Sequence, residues 1–110
     1  MAVSLRYNHV GIPTQEIVPG MFHVRHLKIW CTDHESNPFR IQWMKYDPDC
    51  TLPELVKTVT HIAFEVDDLQ EAVKGKHVIV APNSPSPGVM VAMIEEAGAP
   101  VELMEYSGKK

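Results

Sequence analysis

Apolar and polar positions alternate with a period of two across residues 58–66, where β-branched side chains dominate. That pattern predicts a strand with one buried face. Ile62, Phe64 and Val66 fall on one side of it; His61, Ala63 and Glu65 fall on the other. Asp67-Asp68 and Gly75 bracket residues 69–74, the signature of a short capped helix that packs Leu69, Ala72 and Val73 on the apolar side of the strand. A second strand follows over 77–81. The stretch 82–88 holds three of the nine prolines and reads as an irregular loop. Strands over 89–95 and 101–106, joined by a hairpin through Ala97-Gly98-Ala99-Pro100, complete a β-α-β-β-β order.

The first half follows the same plan in shortened form. Strands are expected over 5–14, 27–32 and 39–46, with 33–38 as the hairpin between the last two. Only 15–26 remains for a helix and a second strand. Pro19-Gly20 interrupts it, so one helical turn at most and a missing or stunted edge strand are expected. Residues 47–55, with Pro48 and Pro53, read as the linker between halves. His26, Lys28 and Trp30 would share one face of the 27–32 strand, as substrate contacts or as part of an oligomer contact.

The halves also echo each other residue by residue. Tyr7-Asn-His-Val-Gly-Ile12 resembles Val59-Thr-His-Ile-Ala-Phe64, and Ile41-Gln-Trp-Met-Lys-Tyr46 resembles Val101-Glu-Leu-Met-Glu-Tyr106. A repeat of half the chain is too long for a solenoid and describes one domain, residues 1–110, built from duplicated units 1–47 and 57–107. The fold class is α+β: paired βαβββ units forming a curled, half-open β-barrel with the first unit truncated. His9, Gln42, His61 and Glu102 occupy matching positions with matching strand parity, so they converge if the concave faces meet. Two imidazoles, an amide oxygen and a carboxylate suit one divalent cation of the zinc, nickel, cobalt, manganese or iron kind, with positions left open for water or substrate. A single histidine in a strand is more often a surface or satisfied core residue; the joint placement of four is what favours the metal.

Composition narrows the partners. A net charge of −4 and a pI near 5.8, with no Lys/Arg run beyond Lys109–Lys110, argue against nucleic acid. No apolar stretch approaches the ~18 residues of a membrane span, and no secretion signal is evident, so a cytoplasmic protein is expected. Cys31 and Cys50 read as two reduced thiols rather than a disulfide. Ser84 and Ser86 have no His or Asp partner in view and do not suggest a nucleophile. His23, His34 and His77 lie outside the repeat and are expected at the surface.

The segments His9-Val-Gly-Ile, His61-Ile-Ala-Phe-Glu-Val-Asp-Asp-Leu and Val101-Glu-Leu-Met-Glu resemble the vicinal oxygen chelate superfamily of glyoxalase I, methylmalonyl-CoA epimerase, fosfomycin-resistance enzymes, bleomycin-binding proteins and extradiol dioxygenases. The order His, Gln, His, Glu looks most like the epimerase and glyoxalase I branch. The resemblance implies a metal-dependent lyase or isomerase acting on a small oxygenated metabolite through an enediolate-like intermediate. Glu102 would be ligand and base, and Glu65 a second catalytic carboxylate or simply a rim residue. It also leaves open a drug-sequestering protein without turnover, and an Fe(II) dioxygenase using His9, His61 and Glu102 with Gln42 as bystander. A homodimer is expected, because the truncated unit leaves a sheet face and an edge uncovered and because many superfamily members pair.

Overall fold

β-Branched and aromatic residues at alternating positions place about half of this chain in strands, and in the computed structural model, which describes residues 4–107, they join one sheet. The strands are β1 (Arg6–Pro13), β2 (Phe22–Val24), β3 (Ile29–Cys31), β4 (Ile41–Tyr46), β5 (His61–Glu65), β6 (His77–Ser86), β7 (Val89–Glu96) and β8 (Ala99–Tyr106). Two short helices are α1 (Glu54–Thr58) and α2 (Leu69–Ala72). The sheet order is β2-β3-β4-β1-β5-β8-β7-β6, a mixed, eight-stranded, curled half-barrel. β1 and β5 run antiparallel at its centre, and each lies parallel to a later strand, β1 to β4 and β5 to β8. The terminal Lys109–Lys110 pair lies outside the described residues.

The β5 parity holds where it matters. Val66 and Phe64 pack with Leu69 and Ala72 of α2 and with Ala92, Ile94 and Leu103. The Asp68 carboxylate caps α2 by accepting from the Glu71 amide, and Glu105 accepts from the Leu69 amide at 2.8 Å, tying the helix to β8. Ile62, at the open end of that face, is exposed. On the other face, Ala63 packs with Val89, Val91 and Met104. A third cluster, Ile29, Cys31 and Cys50 with Met44 and Tyr46, closes the far side of the half-barrel.

Four segments differ from expectation, each for a local reason. Residues 82–88 are not an irregular loop: β6 continues through Pro82 and Pro85 to Ser86. Among the described residues it is an edge strand paired with β7 alone, so a missing proline N–H costs it little, and repeated register shifts absorb the kinks. Residues 47–55 are not all linker, because α1 begins at Glu54 behind Pro53, buries Val56, and delays the start of β5 to His61. Strand β3 is shorter than 27–32. Lys28 takes a left-handed φ of 60° to close a 3₁₀ turn over Arg25–Leu27, so His26, Lys28 and Trp30 share no strand face. The 15–26 region contains that turn and the three-residue β2, and no α-helix.

Candidate metal centre

Four ladder positions assemble the site. Gly11 of β1 lies opposite His61 on β5 and opposite Gln42 on β4. Ala63 of β5 lies opposite His9 on β1 and opposite Glu102 on β8. Each small residue therefore sits between two of the four predicted ligands, and all four line one cavity of about 420 Å³. Small side chains at these two places let their larger neighbours lean over them.

His9, His61 and Glu102 come closest, with one potential ligand atom from each lying within 4.8 Å of the other two. Glu102 Oε1 is 2.9 Å from His61 Nε2 and 3.4 Å from His9 Nε2. The distances are those of ion pairs, but neither Nε2 makes a hydrogen bond, so the contacts are electrostatic and badly directed. Both histidines are buried, and His61 has no hydrogen-bond partner at either ring nitrogen. Orphaned buried nitrogens cost stability unless something else meets them. The three donor atoms lie close enough together to meet around one divalent cation after small side-chain adjustment. The donor set thus fits a divalent ion.

Burial by itself would raise the Glu102 carboxyl. The His61 nitrogen, and then that of His9, outweigh burial and hold it at about 2. Glu102 is therefore an anion at neutral pH. Gln42 donates its amide N–H to the Thr32 carbonyl at 3.0 Å, which leaves its oxygen as the group free to meet a cation.

Asn8, which strand alternation would place opposite His9, is a site residue that sequence reasoning missed. The β1–β5 register shifts between Tyr7 and His9, so Asn8 is the extra residue of a bulge and is buried beside His9. His9 Nδ1 donates to Asn8 Oδ1 at 2.7 Å, which directs Nε2 toward Glu102. The Asn8 amide donates in turn to the Tyr106 hydroxyl at 3.4 Å, and Arg40 Nε donates to the Asn8 carbonyl.

His34, expected at the surface, is a second missed residue. A 3₁₀ turn over His34–Ser36, capped by Asp33, folds its ring onto His9 with centroids 4.8 Å apart and planes at 21°. Its Nε2 is buried without a hydrogen bond, and the residue lines the cavity. Burial, then His9 and Arg40, push the His34 imidazole below its usual range against smaller upward pulls from Asp33 and Glu35.

Glu65, Trp30 and His77 are not brought to the cavity. Glu65 lies 3.7 Å from Arg6 and is not among the lining residues. Trp30 stacks on His23, with centroids 4.5 Å apart, and His23 pairs with Asp47 at 2.7 Å. His77 is exposed beside Glu95. Cys31 lines the cavity and Cys50 is buried behind it, both as free thiols; burial, then Asp33 and Glu102, push Cys31 up to about 11, which makes it a poor nucleophile. Tyr46, Tyr106, Met44 and Met104 all line the cavity, and burial, with Glu102 next, raises the Tyr46 phenol. Ser84 donates to the Ser86 carbonyl and has no catalytic partner. Among the described residues no helix is long and apolar enough to cross a membrane. No protein-family model matches the chain, and comparison with curated proteins finds no match.

Proposed function

We propose that the chain is a divalent-metal-dependent lyase or isomerase of the glyoxalase type, a vicinal oxygen chelate protein of paired βαβββ units, the first truncated, acting on a small oxygenated molecule. The observation that carries this reading is the crowding of His9 Nε2, His61 Nε2 and Glu102 Oε1 around one point without hydrogen bonds among them. His9, His61 and Glu102 would hold the ion, with the Gln42 oxygen as fourth donor. When bound, the ion supplies Lewis-acid polarisation of substrate oxygens. Asn8 keeps the His9 ring turned toward the centre, and Gly11 leaves the room that the His61 ring occupies. Among the described residues Glu102 is the carboxylate of this cluster, and its position makes it the candidate to accept a proton from substrate carbon. The role considered for Glu65 passes to Glu102, because Glu65 is paired with Arg6 away from the cavity.

One observation favours a second reading. The closest group is two histidines and one carboxylate, and the Gln42 amide is engaged with Thr32, as in an iron facial triad with Gln42 as bystander. Metal analysis of protein purified without added metal separates the two: zinc, nickel, cobalt or manganese supports the first, and iron the second. Loss of carbon-bound hydrogen from α-hydroxy ketones in deuterated water, abolished in Glu102→Gln, completes the test of the first. Protein that takes up no metal contradicts both.

A further inference from the structure

Beyond the metal, the cavity has a consistent chemistry. Its walls are built from Val24, Leu27 and Leu52 on one side and Val80, Val91 and Met93 on the other. Among the described residues, no lysine or arginine lines it. Three of the cations close to it in sequence are committed elsewhere: Lys28 to Asp49 at 2.9 Å, Lys57 to Glu54 and the Cys50 carbonyl, and Arg40 to the Asn8 carbonyl. The charged groups that do line it, apart from histidines, are Asp33, Glu35 and Glu102. Away from the metal centre, a phosphate or a second carboxylate entering this space would lose its water, meet no lysine or arginine of the described residues and face the Asp33 and Glu35 carboxylates, which is costly. The volume of about 420 Å³ is small for a ligand site, near the lower end of the roughly 300–1,000 Å³ range.

From this we infer that the ligand presents a compact hydrocarbon body, free of phosphate or a second carboxylate, to the valine, leucine and methionine walls, with its polar end toward the metal centre. The inference rests on the metal reading proposed above. It excludes a phosphate held inside the cavity against these walls, where the described residues offer it no lysine or arginine.

Three hydroxamates test it, since each offers the same vicinal oxygens with a different body. Calorimetric titration of nickel-loaded protein is expected to give benzohydroxamate at least ~10-fold tighter binding than acetohydroxamate, as burying a ring against apolar walls adds that much. 4-Phosphonobenzohydroxamate is expected to bind at least ~10-fold more weakly than benzohydroxamate. A Leu52→Lys variant should narrow that last gap by supplying the missing cation. Equal affinities across the series, or a preference for the phosphonate, would overturn the apolar class while leaving the metal centre standing if acetohydroxamate binding depends on nickel. The reverse split is also readable: benzohydroxamate preferred equally with and without nickel upholds the apolar class and overturns the metal reading. Absence of binding by all three to nickel-loaded protein overturns the inference.

Discussion

Gly11 lies directly against the imidazole of His61. A Cβ at position 11 would stand 2.6 Å from His61 Nε2 and 2.7 Å from Nδ1, closer than non-bonded atoms pack. The two residues are ladder partners across the central β1–β5 pair, so the ring leans over a position that must have no side chain. The φ of Gly11 is not positive, and the constraint is steric rather than conformational.

Gly11→Ala is therefore expected to tilt the His61 ring out of place. Overpacking of this kind costs about 1–3 kcal/mol, and metal affinity should fall at least ~10-fold as one ligand is misplaced. Urea denaturation and calorimetric zinc titration check the two effects separately. Unchanged zinc affinity would show that the His61 ring position does not matter to the site.

Asn8 bears on the candidate centre through its hydrogen bond with His9. Asn8→Leu removes the acceptor from His9 Nδ1, and a loss of ~10–100-fold in metal affinity is expected. Asn8→Asp keeps an acceptor and should retain most of the affinity. Competitive titration against a chelating dye measures both variants, and equal losses in the two would mean that Asn8 matters for packing instead.

Acid should destabilise the metal-free protein in two stages. The folded-state value of His34 is lowered from 6.5, so below about pH 6.5 the unfolded chain takes up a proton that the folded one refuses, and stability falls. Glu102 is lowered from 4.5 to about 2; its contribution is intact above pH 4.5 and is lost as pH drops toward 2. Urea melts between pH 8 and pH 3 should show both stages, with His34→Phe reducing the upper one and Glu102→Gln the lower. A His34→Phe profile that superimposes on the parent would rule out its part.

Much of this site was legible because strand parity and repetition are local properties. His9, Gln42, His61 and Glu102 sit at equivalent points of similar segments, and the ladder register brings all four to one cavity. Asn8 was not legible, because a bulge inverts the alternation at that residue and nothing in Tyr-Asn-His marks it. His34 was hidden for a related reason: a 3₁₀ turn has no face pattern, and only tertiary folding carries the ring onto His9. Prolines misled the reading of β6, since they exclude a central strand but not an edge. The five-residue α1 is too short for periodicity to reveal and is held by Pro53 and the burial of Val56.

Assembly follows from the edges. β2 is an edge strand three residues long, and Phe22 on it is about half exposed, as is Ile17 before it to a greater degree. A two-fold dimer covering this edge is expected. Sedimentation equilibrium at micromolar concentration should then return twice the 12.4 kDa chain mass, and Phe22→Glu should return the single mass. A parent protein that sediments as the 12.4 kDa monomer would contradict the dimer without touching the metal centre.

Anomalous diffraction from crystals grown with cobalt bears on the metal centre most directly. One peak is expected, about 2.0–2.3 Å from His9 Nε2, His61 Nε2 and a Glu102 carboxylate oxygen, with the Gln42 oxygen as a further ligand, and it should vanish in His61→Ala. A protein without a peak at these residues, or with cobalt bound only at surface histidines such as His77, would contradict the reading of this cluster as a metal centre.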